Sequence, residues 1–193
     1  MANSKAIPYR KHLDYELEIG LLMHRDAPER FGYFLANDLT DRGVQVETYD
    51  KKNPAPGFGK AKSFEGALRA GPLLAIGDAS AWPKMSASLK LNGEVRQTLN
   101  AERCRLDPEQ IHGELFAEHK DESWLVVATG TSGGTLFRVP ETREKLKALV
   151  AGRFSMKRAG QVWLNSLRFL IPGDKIILQS PILGRSEARL EQE

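Results

Sequence analysis

The sequence predicts an α+β fold in which strands outnumber helices and the helices are short. Three observations predict it. The run Leu13 to Met23 alternates apolar and polar residues and fits no period of three or four, so it reads as a strand. Asn92-Gly93 stands between two strand-like runs and signals a tight hairpin, because both central residues of a type I′ turn take positive φ. Trp124 to Thr129 is a β-branched run with little alternation, the pattern of a strand covered on both faces.

The remaining elements follow in order. Residues 1–12 carry few periodic signals and are expected to form an N-terminal arm, leaving 13–193 as one domain. After strand Tyr15–His24, Asp26-Ala27-Pro28-Glu29-Arg30 has the cap and early proline of a single helical turn. A second strand, Gly32 to Ala36, delivers Asp38 at its C-terminal end, and Leu39 to Gln45 reads as a short helix or turn. Tyr49 to Lys60, rich in Lys, Pro, Gly and Asn, reads as a loop. Leu73–Ile76 and Met85–Leu91 are strands. Asp107-Pro108-Glu109-Gln110 has an acceptor at the N-cap, proline at N1 and Gln at N3, which starts a helix. Pro140 to Val150 spaces Leu146, Leu149 and Val150 on one helical face. Lys175–Leu178 is the last clear strand.

With 193 residues the chain can bury a substantial core. Its 41% hydrophobic and 27% charged content is that of an ordinary globular domain. One cysteine, Cys104, permits no internal disulfide and fits a reducing compartment. Met1 to Lys5 leads into no apolar stretch, and no run reaches the roughly 18 apolar residues of a membrane span. A cytoplasmic protein without a membrane partner is expected. The net charge of +3 is spread out, its densest groups being Lys5 to Lys11 and Arg153 to Arg158, so no nucleic-acid partner is expected.

Chemistry concentrates at Glu16 and Glu18. Side chains at i and i+2 leave a strand on one face, so both carboxylates project together from an apolar segment. Two adjacent anions are costly without a cation between them, and oxygen-only ligands favour Mg²⁺, Mn²⁺ or Ca²⁺. The bland alternative is an exposed strand face with two solvated glutamates. Asp38 offers a third carboxylate, or a helix cap. The glycine-rich turn Thr129-Gly130-Thr131-Ser132-Gly133-Gly134 lets backbone approach a ligand, and no G-K-[ST] follows to make it a P-loop. No Ser/His/Asp triad can be assembled around His12, His24, His112 or His119, and Cys104 has no activating partner.

Several motifs, in order, carry a resemblance. They are Glu16-Leu17-Glu18; Asn37-Asp38-Leu39-Thr40-Asp41-Arg42-Gly43-Val44-Gln45; Lys62-Ser63-Phe64; Gly71-Pro72; Asn92-Gly93-Glu94-Val95-Arg96-Gln97; Thr129-Gly130-Thr131-Ser132-Gly133-Gly134; and Pro172-Gly173-Asp174. Together they resemble the fumarylacetoacetate hydrolase superfamily from Leu13 to Gly184. The resemblance implies a mixed β-sheet roll or sandwich with a few short helices, pairing as a homodimer. It implies Glu16, Glu18 and Asp38 as ligands of Mg²⁺, Mn²⁺ or Ca²⁺, and Lys62, two residues after Lys60, beside the metal and the substrate oxygen. Arg42 and Gln45 would contact substrate, as would Tyr49, while Thr131 beside Gly130 would bind the carboxylate of a small anionic oxo acid. The implied activity is metal-dependent C–C cleavage.

Three departures bear on that activity. The family takes its histidine–glutamate base from a region upstream of the E-x-E strand, and only about fifteen residues precede Glu16 here. Gly43 stands where an aspartate is usual, and Glu122-Ser123-Trp124 replaces a Pro-Gly-Asp before the turn. Residues 135–170 form an extended, helical insertion relative to short family members. Decarboxylation, isomerisation or ligand binding by a catalytically impaired homologue are the alternatives to hydrolysis.

Overall fold

The computed structural model describes residues 7–50 and 52–191. Its elements run β1 (Ile7–Pro8), β2 (Leu13–Asp14), β3 (Leu17–His24), β4 (Phe31–Asp38), β5 (Thr40–Asp41), α1 (Arg42–Thr48), α2 (Ala55–Lys62), β6 (Leu68–Ala70) and β7 (Ala75–Gly77). They continue as β8 (Ser86–Leu91), β9 (Glu94–Asn100), α3 (Pro108–Glu118), β10 (Trp124–Ala128), α4 (Thr142–Ala151), α5 (Met156–Ser166), β11 (Lys175–Ser180) and β12 (Gly184–Glu191). One sheet has the order β1-β12-β11-β8-β9, a second β10-β3-β4-β6 with β7 also on β4, and β2 pairs β5. The β-rich α+β architecture expected from the sequence is the one found.

Alternation decides which face closes the core. Leu17, Ile19, Leu21 and Met23 of β3 and Phe31, Tyr33 and Leu35 of β4 are fully buried. They join Leu89 of β8 and Ile176 and Leu178 of β11 in one apolar cluster between the sheets. The even-numbered residues of β3 and β4 therefore face the other way. Phe34 lies directly across from Gly20, and a Cβ at Gly20 would stand 2.2 Å from its ring.

Local signals hold in several places. Asn92 and Gly93 have φ of 52° and 90°, as the hairpin requires. Asp107 and Gln110 exchange both hydrogen bonds of a capping box at the start of α3. The Pro172-Gly173-Asp174 turn is tied to the hairpin, since the Asn92 side-chain Nδ2 donates to Asp174 Oδ1 over 2.7 Å.

Other expectations are corrected. The arm ends early: Ile7 is fully buried and pairs in parallel with Leu190, while residues 1–6 lie outside the described set. Asp26 to Arg30 forms turns without a helix. The loop expected over Tyr49 to Lys60 contains α2, whose glycines and proline hid it from propensity. Strand β10 is not covered on both faces. It sits at a sheet edge with Trp124 and Val126 each 59% exposed, and an unbroken apolar run carries no sign of which face is open. The strand expected at Leu73–Ile76 is shifted to Ala75–Gly77, and β12 follows the strand expected to be last. No helix among the described residues is long and apolar enough to cross a membrane.

Candidate metal centre

Register explains why three carboxylates meet. Glu16 and Glu18 are two positions apart, and Glu18 pairs with Ala36 on β4. The Asp38 amide donates to the Glu16 carbonyl over 2.9 Å, which sets Asp38 opposite Glu16. All three even-numbered side chains leave the sheet on the face away from the core, where opposed Cβ atoms stand about 5 Å apart. One carboxylate oxygen from each lies within 4.8 Å of the others, and all three residues are buried.

The chain is irregular at this point, and side chains hold it open. Residues Tyr15 and Glu16 fall between β2 and β3. The Glu16 amide donates to the Asn37 side chain over 3.1 Å, and the Leu17 amide to the Gln97 side chain over 2.9 Å. These two amide side chains satisfy buried backbone groups that a continuous ladder would otherwise pair.

Two cations brace the carboxylates. Lys62 donates to Glu16 Oε2 over 2.6 Å and also to Asp38 Oδ2. Lys60 is exposed, so the two-residue ambiguity resolves toward Lys62 by contact. Arg42 spends its whole fork inside the protein: Nε on Asp14 at 2.9 Å, Nη1 on Gln45 at 2.9 Å and Nη2 on Glu16 at 2.5 Å. In this arrangement Arg42 fixes Glu16 rather than reaching outward. Asp14 is fully buried and also accepts from the Leu136 and Phe137 amides.

Electrostatics leave the cluster short of positive charge. Burial pushes the Glu18 carboxyl up to about 7, with Asp38 and Glu16 adding to the rise against the Gly130 amide and Lys62. Burial likewise raises Asp38 and Asp14. Burial would lower Lys62, but its hydrogen bonds to Asp38 and Glu16 outweigh that and raise it. Asp14, Glu16, Glu18 and Asp38 against Arg42 and Lys62 leave two formal negative charges, which a divalent ion would balance. The donor set is all oxygen, so the residues fit a hard divalent cation.

The glycine-rich turn closes the Glu18 side. Gly130, at φ 101°, donates its amide to Glu18 Oε2 over 2.8 Å. The Thr131 hydroxyl donates to the Leu17 carbonyl and accepts from the Gln97 side-chain amide, each over 2.9 Å. Tyr49 is 58% exposed at the end of α1 and borders a groove beside Gln45, away from the carboxylates. The histidines are engaged elsewhere. His12 meets the Asn165 side chain, His24 accepts from the Asp26 amide, His112 meets the His24 carbonyl, and His119 is exposed.

Asp14 and Gln97 are the site-forming residues that sequence reasoning passed over. Asp14 was legible, because it extends the pair Glu16 and Glu18 by a further two residues on the same alternation. Gln97 gave only the weak signal of an amide within the hairpin motif.

A two-sheet α+β fold with an all-carboxylate cluster at a strand irregularity defines a protein able to hold a divalent cation. Over residues 2–191 the sequence matches the fumarylacetoacetate (FAA) hydrolase C-terminal family, and the chain belongs to it. Among curated relatives, an uncharacterized protein of Staphylococcus aureus strain USA300 is 26% identical over 132 residues, 63% of this chain. The chain spans 42% of that relative's length. A probable 2-hydroxyhepta-2,4-diene-1,7-dioate isomerase from Mycobacterium abscessus shares the fold at TM-score 0.67 and 23% identity, over 98% of this chain and 64% of that one. Fumarylacetoacetate hydrolase from Exiguobacterium antarcticum does so at 0.62 and 20%, over 95% and 58%. Fumarylpyruvate hydrolase from Pseudomonas aeruginosa, in complex with Mn²⁺ and pyruvate, does so at 0.62 and 17%, over 98% and 72%. At these identities the likeness is one of fold.

Proposed function

We propose that this chain is a divalent-metal-dependent enzyme that cleaves a C–C bond in a small 2-oxo or 1,3-diketo acid. Acylpyruvates, fumarylacetoacetate and oxaloacetate are the substrate class. The observation that carries the reading is the convergence of Glu16, Glu18 and Asp38 on one buried spot, with the Lys62 ammonium between two of them. Mg²⁺, Mn²⁺ or Ca²⁺ held by these three carboxylates would polarise the substrate carbonyl and favour the enolate.

The chain's own residues supply the rest. Lys62 stays an ammonium throughout the working pH range, because its carboxylate partners raise its pKa against burial. It therefore acts as a fixed positive charge where an enolate oxygen develops, and not as a base. Arg42, anchored by Asp14, keeps one oxygen of Glu16 turned away from the cluster and positions the other. Gly130 orients Glu18 through its amide. Thr131 and Gly130 stand beside the cluster as the place for the substrate carboxylate, and Gln45 and Tyr49 line the approach on the other side.

A second reading has its own support. With His12, His24 and His112 bonded elsewhere, no histidine among them is poised to activate water, so the chain acts as a ligand-binding homologue or as a subunit whose partner supplies the base. Two copies are proposed to pair through the outer face of the second sheet. There Val126, Leu22, Gly32 and Ile76 stand in one cross-strand row, with Val126 and Ile76 exposed. Turnover of acylpyruvates and oxaloacetate between pH 6 and 9, with Mg²⁺ or Mn²⁺ added back to chelator-treated protein, decides between the readings. Absence of turnover with either metal leaves only the binding role. Glu18→Ala and Asp38→Ala should each lose Mn²⁺ binding by calorimetry, and unchanged affinity in both refutes the metal assignment.

A further inference from the structure

Two helices leave the carboxylate cluster with the same layout: a cation at the cluster, then apolar residues one turn away. On α1, Arg42 bonds Glu16, Gln45 and Val46 follow at three and four positions, and Tyr49 stands just past the helix end. On α2, Lys62 bonds Glu16, and Phe58 stands four positions before it. Such spacings share a helix face, at about 6 Å per four residues along the axis. Both faces open onto one groove of ≈ 590 Å³, whose far wall is Phe137, Val139 and Met156.

That far wall comes from the stretch that runs from the glycine-rich turn to the start of α5. Val139 is 71% exposed and Met156 79% exposed. Scattered apolar residues at a surface need no explanation, but a lined groove of this size is in the range of small-molecule sites. Its near end abuts Arg42, the residue that braces Glu16. Phe137 lies under the Arg42 guanidinium at 5.3 Å, and Gln45 accepts from the same guanidinium. The groove's charges are matched. Lys157 pairs with Glu47 at 3.6 Å, which leaves no free cation among the described lining residues to hold a second carboxylate.

We propose that this groove holds the acyl or aryl arm of a 2,4-dioxo acid whose dioxo end lies at Glu16, Glu18 and Asp38. The arm is apolar, and roughly five carbons or a phenyl ring span the ~6 Å turn between cluster and groove. A fumaryl arm, which ends in a carboxylate, is disfavoured. This inference rests on the functional reading above and names the part of the substrate that reading leaves open.

The test is calorimetry on Mn²⁺-loaded protein with acetylpyruvate, hexanoylpyruvate, benzoylpyruvate and fumarylpyruvate. A fully buried methylene is worth about a fourfold gain in affinity, and an open groove about half of that in free energy, or about twofold. Benzoylpyruvate and hexanoylpyruvate should then bind at least about tenfold tighter than acetylpyruvate, and fumarylpyruvate no tighter. Met156→Glu and Val139→Glu, both at exposed positions, should reduce the tenfold gain to less than about threefold, with Mn²⁺ affinity as the check on folding. Equal affinity for acetylpyruvate and the longer arms, or a gain retained in both variants, overturns the groove assignment alone. Failure of every dioxo acid, acetylpyruvate included, to bind protein that holds Mn²⁺ overturns the functional reading and this inference with it.

Discussion

Replacing Glu18 by Gln in metal-free protein should stabilise it, and by an amount that depends on pH. Glu18 is 2% exposed, and its carboxyl is raised from an ordinary 4.5 to about 7. Below 4.5 the group is protonated in both folded and unfolded chains and carries no penalty. As pH rises through 7 the folded chain must ionise a carboxyl that the unfolded chain ionises more readily, so stability is lost on the alkaline side. At about 1.4 kcal/mol per pH unit, the gap amounts to about 3 kcal/mol. Gln carries no charge and still accepts from the Gly130 amide. Glu18→Gln and wild type should therefore melt alike near pH 4.5 and differ by about 6–12 °C at pH 8, for a chain of this length. Differential scanning calorimetry after chelator treatment measures this. Mn²⁺ at a hundredfold excess over its Kd should restore about 2.7 kcal/mol to wild type and nothing to the variant. A melting difference that is flat between pH 5 and 8, or a variant less stable than wild type at pH 8, refutes the argument.

Further expectations concern the neighbours of Glu18. Lys62→Met removes an ammonium that competes for oxygens of Glu16 and Asp38, so Mn²⁺ should bind several-fold more tightly while turnover falls by roughly a hundredfold. Calorimetry with a rate assay reads both, and weaker Mn²⁺ binding would contradict the competition. Asp14→Ala removes one of the two carboxylates on the buried Arg42 guanidinium and the acceptor of the Leu136 and Phe137 amides, and should destabilise the fold by about 3–5 kcal/mol, measured by urea unfolding. Val126→Asp places a charge in the exposed row of the second sheet, and sedimentation velocity should show it shifting a dimer to monomer without changing Mn²⁺ affinity.

The pair Glu16 and Glu18 was legible from strand periodicity, and the family resemblance added Asp38 as the third member of the cluster. Glu16 and Glu18 share a face by the two-residue repeat of a strand, and Asp38 ends the next strand, where an antiparallel partner returns to the same height. The hairpin at Asn92-Gly93 and the cap at Asp107 are local. Helix α2 was hidden because Pro56, Gly57 and Gly59 lower its propensity, and its formation rests on packing against α1 and on the anchoring of Lys62. Strand β10 was misjudged because its apolar side chains look the same whether a second layer covers them or not.

The roles of Arg42 and Thr131 show where residue type stops being informative. The family resemblance implies that Arg42 contacts substrate, yet Asp14, Gln45 and Glu16 occupy all three arms of its fork. Asp14 supplies the reason. A fully buried carboxylate requires a buried cation, and the nearest one able to satisfy it is also the one able to orient Glu16. The Thr131 hydroxyl is likewise committed, bridging Leu17 and Gln97 so that the turn and the strand break hold one another in place. Arg42 holds Glu16 directly and Thr131 acts through Leu17 and Gln97, which moves the expected consequence of mutating them from loss of affinity for substrate toward displacement of Glu16 or Glu18. Arg42→Lys separates the two. Lysine keeps the charge but cannot reach three acceptors at once, so Mn²⁺ affinity should fall with it, whereas a residue that merely grips substrate would leave metal binding unchanged.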